Sequence, residues 1–286
     1  MKWRGRRGSS NIVDRRRSGG GRGLAVGGAG GIGLLAIVVV GWFFGVDLTP
    51  LLQNGNGQIA GSPGSGRITQ EDEQTAQFVS VTLADTEEVW ARIFEQQLGE
   101  EYVPAKLVLF KGVTQSPCGG ASGATGPFYC PADESAYLDT AFFETLSRDL
   151  GAKGDFAAAY VVAHEVAHHV QQELGILGQA NRMRAQVSTE EANAISVRIE
   201  LQADCYSGVW ARHAEAQFGS LEPGDVDEAM NAAARIGDDA LQRGAGRAPA
   251  PETFTHGTSE QRRRWFTEGY STGEVRACDT FSAQSL

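Results

Sequence analysis

The chain has 286 residues, 41% of them hydrophobic, and a formal net charge of −10, so it can bury one sizeable core in the manner of a globular protein. The charge is uneven: residues 1–22 hold eight Lys or Arg against Asp14 alone, a net of +7, which leaves −17 for the rest. An acidic body of this kind argues against a nucleic-acid partner.

Leu24 to Val46 is an uncharged run of 23 residues, long enough for a helix to span a bilayer. Its flank is basic before and acidic or neutral after. That pattern predicts one uncleaved transmembrane helix at 24–46, with residues 1–23 a basic cytoplasmic segment and everything after Asp47 extracytoplasmic. A cleaved signal peptide is the alternative, but the run exceeds a usual signal core and no persuasive small-x-small cleavage site precedes Asp47. Residues 47–68, with Asn54-Gly55-Asn56-Gly57 and Gly61-Ser62-Pro63-Gly64, have the composition of a flexible linker. The domain proper is then 69–286.

Thr69 reads as the cap of a helix with an acidic first turn, and Asp85 as the cap of a second helix carrying Val89, Trp90, Ile93 and Phe94. Three strands are expected at 106–110, 128–131 and 136–139. The Gly-rich segment 118–127 lacks the Lys-Ser/Thr pair of a phosphate loop. It reads either as a plain loop or as an edge strand beside a catalytic site, against which an extended peptide could pair. A helix beginning near Ala141 ends at Gly151, and 156–174 is a longer one. A polar surface linker is expected at 175–187, followed by a helix from Ser188-Thr189-Glu190-Glu191 to about Phe218. Pro223-Gly224-Asp225 opens another helix, and a short one carries Trp265 and Phe266.

The 156–174 helix contains His164-Glu165-Val166-Ala167-His168. At 3.6 residues per turn the two histidines share a face, so both imidazoles can reach one zinc ion at about 2.0–2.1 Å. Glu165 projects beside them, placed to take a proton from water activated by the ion. A third ligand is expected in Ile199-Glu200-Leu201-Gln202-Ala203-Asp204, where Glu200 and Asp204 share a face by their i,i+4 spacing. A carboxylate there completes the site, and Asp204 then holds the N–H of a ligand histidine. The metzincin pattern needs glycine and histidine where this chain has Gln171 and Leu174.

All four cysteines follow the apolar run. Of the three possible pairings, Cys118–Cys130 with Cys205–Cys278 is favoured, since the first would brace the glycine segment and the second would pin the tail to the ligand helix. A cysteine zinc site lacks any Cys-x-x-Cys pair. Free thiols remain an alternative if the compartment is not oxidising.

Lys2–Arg16, Gly126-Pro127-Phe128-Tyr129-Cys130-Pro131, His164–His168 and Glu200-Leu201-Gln202-Ala203-Asp204-Cys205 together resemble the bacterial neutral zinc metallopeptidase family over almost the whole chain. Families of this type resemble gluzincins, in which two histidines and a downstream glutamate bind zinc. The resemblance implies His164, His168 and Glu200 as ligands of one Zn2+. Thr255-His256 followed by Arg262 is similar to the late His…Arg element of membrane-associated zinc peptidases, where the histidine donates a hydrogen bond to the tetrahedral oxyanion. The alternative for His256 is a surface or capping residue. His169 and His213 are turned away from the ligands by helical phase.

The expected protein is thus a membrane-anchored extracytoplasmic zinc peptidase. Its fold class is α+β: a zincin-like, mostly helical domain with a small mixed or antiparallel sheet, preceded by one transmembrane helix. Its partners are a peptide or protein substrate and, through the single-pass anchor, the lipid bilayer. The rival reading is a zinc-containing, non-catalytic binding or chaperone-like module, against which Glu165 argues because structural zinc needs no general base.

Overall fold

A computed structural model describes residues 1–17, 68–122 and 126–286. Strand β1 (Ile12–Asp14) comes first. Helix α1 (Gln70–Ile93) follows and runs into a π turn at Phe94–Leu98. Next are β2 (Lys106–Phe110), the hairpin of β3 (Val113–Ser116) and β4 (Gly119–Ser122), β5 (Phe128–Cys130) and β6 (Ser135–Asp139). The remainder is helical: α2 (Phe142–Arg148), α3 (Asp155–Glu173), α4 (Ile176–Arg184), α5 (Thr189–Phe218), α6 (Asp225–Arg235), α7 (Asp238–Gly244) and α8 (Ser259–Thr272).

The sheet has the order β1-β2-β6-β5, with β1, β2 and β6 parallel and β5 antiparallel to β6. Alternation along β2 and β6 sends Leu107, Leu109, Ala136 and Leu138 into the main core and Val108, Phe110 and Tyr137 into a smaller cluster on the other face. The architecture is a mostly helical α+β domain with small sheets. Helix α3 lies at its centre, apolar nearly all round, and packs against α1, α5 and α6. Both favoured disulfides are present, Cys118–Cys130 and Cys205–Cys278.

Three local expectations change. Asp85 caps nothing, because α1 is continuous through it; the buried carboxylate instead meets Arg6 at 2.6 Å. The stretch 175–187 is largely helix α4, since Leu177 and Ala180 find an apolar partner in Ile199. Within the glycine-rich segment, Gly119–Ser122 pairs with Val113–Ser116 as a hairpin, and the edge strands of the larger sheet are β1 and β5.

The expected transmembrane helix is corrected as well. Among the described residues no helix is long and apolar enough to cross a membrane. Residues 24–46 and all of the expected linker except Ile68 lie outside the described residues. Residues 1–17 pack with the rest of the described chain: Ile12, Val13 and Asp14 pair in register with Leu107, Val108 and Leu109, so segments on either side of 24–46 meet in one sheet. Met1 and Trp3 are buried in the core, Trp3 edge-on to Phe78 at 5.5 Å. The basic residues meet the acidic body: Arg6 pairs with Asp85, Arg7 with Glu88, and Arg16 with Asp14 and Glu73.

Helices α5 and α8 touch backbone to backbone. A Cβ at Gly208 would lie 2.1 Å from the Phe266 carbonyl oxygen, and one at Gly269 would lie 1.9 Å from that of Cys205. Only glycine allows this approach, which brings Arg262 of α8 to Asp204 of α5. Gly269→Ala should therefore cost about 1–3 kcal/mol in urea unfolding, as expected for an overpacked core, and weaken metal retention; an unchanged midpoint would show that the crossing can relax.

Candidate metal centre

His164 and His168 stand one turn apart on α3, their ring centroids 4.8 Å from each other. Glu200 reaches them from α5: its Oε2 is 3.1 Å from His164 Nε2 and its Oε1 is 3.5 Å from His168 Nε2. One donor atom from each of the three residues lies within 4.8 Å of the others. Two imidazole nitrogens and one carboxylate oxygen thus converge on a single point.

The far sides of both rings are held. His164 Nδ1–H donates to Asp204 Oδ1 at 3.0 Å, and His168 Nδ1–H donates to Gln171 Oε1 at 2.9 Å. Asp204 is fully buried and its other lone pairs are taken. Arg262 reaches Oδ2 through Nε at 2.8 Å and Oδ1 through a terminal nitrogen at 3.0 Å, and the Tyr160 hydroxyl also donates to Oδ1. The same guanidinium donates to Tyr160 Oη at 3.1 Å and to the Ile236 carbonyl at 3.1 Å. Arg262 is consumed in holding Asp204.

Electrostatics follow from this packing. Burial opposes the charged forms of Glu200 and Asp204, but the histidines for Glu200, and Arg262 and His164 for Asp204, outweigh it and hold both carboxyls below their ordinary range. His164 is raised, because the flanking Asp204 and Glu200 overcome its burial, whereas burial prevails at His168 and lowers it. Glu165, beside the ligands, has no such compensation. Burial pushes its carboxyl up to about 7 against the opposing pull of His164.

His256 comes from the loop before α8. Its Nδ1 is 3.1 Å from Asp238 Oδ1, while Asp238 Oδ2 accepts the backbone N–H groups of Thr255, His256 and Gly257 at 2.8, 2.7 and 3.0 Å. Gly257, whose left-handed φ of +90° favours glycine, then turns the chain towards α8. Burial lowers the proton affinity of His256, but Asp238 and Glu200 more than reverse this and raise it.

These residues line one cleft of about 770 Å³ whose walls include Phe128, Tyr129, Phe142, Val161 and Ile199. That volume suits a substrate of several residues. Strand β5 lies along it, tied to α3 by the Tyr129 hydroxyl at 3.0 Å from His169 Nδ1.

The family model described as "Putative neutral zinc metallopeptidase" matches residues 1–281. The chain belongs to this family. It is 45% identical over 288 residues to the Escherichia coli (strain K12) protein YpfJ, covering 98% of this chain and 99% of that one. To Rv2575 of Mycobacterium tuberculosis (strain ATCC 25618 / H37Rv) it is 46% identical over 195 residues, 65% of each chain. Both relatives are described as uncharacterized. No solved structure matches the chain.

Zinc is the metal that family membership suggests, and the donor set fits it. Two nitrogens and one oxygen are a ligand set that leaves a fourth position open, and each imidazole already donates its other N–H to an acceptor. All the residues singled out from the sequence, His164, Glu165, His168, Glu200, Asp204 and His256, meet around this cleft, with Asp204 behind His164. His169 and His213 go elsewhere, to Tyr129 and the Val103 carbonyl and to the Gly273 carbonyl. Sequence reasoning missed Tyr160, Gln171 and Asp238 and named no partner for Arg262. Gln171 and Tyr160 lie three or four residues from a motif histidine, a spacing that could have marked them. Nothing in the order of residues ties Asp238 to His256.

Zinc affinity measured by competition with a chromophoric chelator should collapse in Glu200→Ala. In Asp204→Ala it should fall about 10–100-fold, the usual loss when a partner that orients a ligand histidine is removed. Equal affinities in wild type and Glu200→Ala would place the third ligand elsewhere.

Proposed function

We propose that this protein is a zinc-dependent peptidase that hydrolyses peptide bonds of an extended polypeptide lying along the cleft. The observation that carries this reading is Glu165: a buried carboxyl lining a wide cleft beside a three-donor cluster. A zinc site serving only structure closes its shell with four ligands and needs neither the cleft nor the base.

Bound at this centre, zinc would supply a Lewis acid for the scissile carbonyl and acidify a water molecule. His164, His168 and Glu200 would hold it. Glu165 takes the proton from the attacking water and delivers it to the leaving amine nitrogen, a role suited to a carboxylate on the cleft wall beside the donor cluster. His256, its Nδ1 side held by Asp238, donates a hydrogen bond to the carbonyl oxygen as negative charge develops there. Tyr160 and Arg262 act through Asp204, keeping His164 in the tautomer whose Nε2 faces Glu200. Strand β5 offers an edge on which a peptide can pair by backbone hydrogen bonds. The two disulfides favour an oxidising compartment outside the cytosol as the place of action.

Glu165→Gln should retain zinc and fold while peptide hydrolysis falls by about 10²–10⁴, the contribution of a positioned general base. Normal turnover in that variant would remove Glu165 as the base, whereas zinc binding without any hydrolysis of unfolded polypeptide by the wild type would favour the non-catalytic module instead.

His256→Ala should lower kcat by about 10²–10³ with zinc stoichiometry near that of wild type, as for loss of one oxyanion donor. Asp238→Asn should lower kcat less, through misplacement of the ring. An unchanged kcat in His256→Ala would leave His256 a loop-fixing residue.

A further inference from the structure

His168 differs from His164 in what stands behind it. His164 has a carboxylate and, beyond it, an arginine and a tyrosine; His168 has a chain of neutral amides. Gln171 Oε1 accepts from His168 Nδ1 at 2.9 Å, and Gln171 Nε2 donates to the Ile199 carbonyl at 2.8 Å and to Gln202 Oε1 at 3.0 Å. Gln202 Nε2 donates onward to the Cys278 carbonyl at 3.0 Å. Gln171 is 0% exposed, Gln202 4% and Cys278 0%, so water does not compete for these groups.

The polarity of this chain is forced from its ends. A backbone carbonyl can only accept a hydrogen bond. The Cys278 carbonyl therefore requires the amide nitrogen of Gln202 to face it, which turns Gln202 Oε1 towards Gln171. Gln171 must then present its nitrogen to Gln202 and to the Ile199 carbonyl, and its oxygen to His168. An acceptor at that place requires a proton on His168 Nδ1, which leaves Nε2 bare on the side of Glu200. Cys278 itself is secured to α5 by its disulfide to Cys205, the residue after Asp204. The Ile199 carbonyl precedes Glu200 in the chain, so Gln171 spans two of the three metal-ligand positions.

We propose that Gln171 and Gln202 are positioning residues that carry the polarity of the Cys278 carbonyl, in the disulfide-held C-terminal turn, to His168 and keep it in its metal-binding tautomer. The inference rests on the zinc-site reading above for its consequence but not for its hydrogen-bond logic, and the test separates the two. In the full chain, zinc affinity is measured by chelator competition, and the His168 tautomer is read from imidazole 15N shifts of the zinc-free protein. Gln171→Leu should weaken zinc binding about 10–100-fold and move the His168 shifts from the Nδ1–H form towards a tautomer mixture. Gln202→Leu should do the same to a smaller extent. The double variant should be no worse than Gln171→Leu, because both changes interrupt one chain. Gln202→Leu, which leaves Gln171 in place, decides the matter if Gln171→Leu does not fold. An unaltered His168 tautomer in Gln202→Leu, or additive losses in the double variant, would overturn the relay. If the wild type bound no zinc, the peptidase reading would fall, while the tautomer measurement would still support or overturn the relay.

Discussion

The buried carboxylate of Asp204 is the interaction on which the rest of the centre depends. A carboxylate removed from water costs several kcal/mol unless its lone pairs are filled by a matching charge and by hydrogen bonds. Arg262, Tyr160 and His164 fill them from α8, α3 and α3 respectively. One side chain thus fixes the relative placement of three helices and the orientation of one metal-ligand ring. The glycine contacts between α5 and α8 are what bring the guanidinium within reach, so the site is as much a product of helix packing as of its own residues.

The two sides of the centre are supported by different chemistry. Behind His164 lies a charged cluster that makes the ring a stronger base and a better-oriented ligand. Behind His168 lie neutral amides that set direction without adding charge. A second buried carboxylate behind His168 would have needed a second buried cation. The amides avoid that demand and still leave both Nε2 atoms aimed at Glu200.

Charge also explains how the chain begins. The excess of positive charge in residues 1–22 and of negative charge elsewhere reads, in sequence, as two compartments; in the structure it is complementarity within one body. Arg6, Arg7 and Arg16 find their partners along α1, and the Met1 ammonium lies 2.8 Å from Asp155, at the start of α3. Burial of Met1 and Trp3 and the pairing of β1 with β2 complete the docking. The rule that reads basic flanks as cytoplasmic has no means of seeing such partners, because they lie 57 or more residues away in the chain.

By itself, the sequence determined what local geometry determines. A helix puts residues four apart on one face, so His164 with His168 and Glu200 with Asp204 were legible as pairs, as were the caps at Thr69 and Ser188 and the strands at β2 and β6. The cysteine pairing was legible only as one choice among three. Tertiary structure decided everything that needed two distant elements to meet: that Arg262 serves Asp204, that Asp238 holds His256, that Gln171 and Gln202 link His168 to Cys278, and that Asp85 lies inside a helix because Arg6 neutralises it. It also decided that the first 17 residues pack with the rest of the described chain. The physical reason is common to all of these: spacing along a helix or strand is repeated at every turn of the chain, whereas the partner of a buried charge or amide is chosen by packing, and packing leaves no mark on the order of residues until the chain has folded.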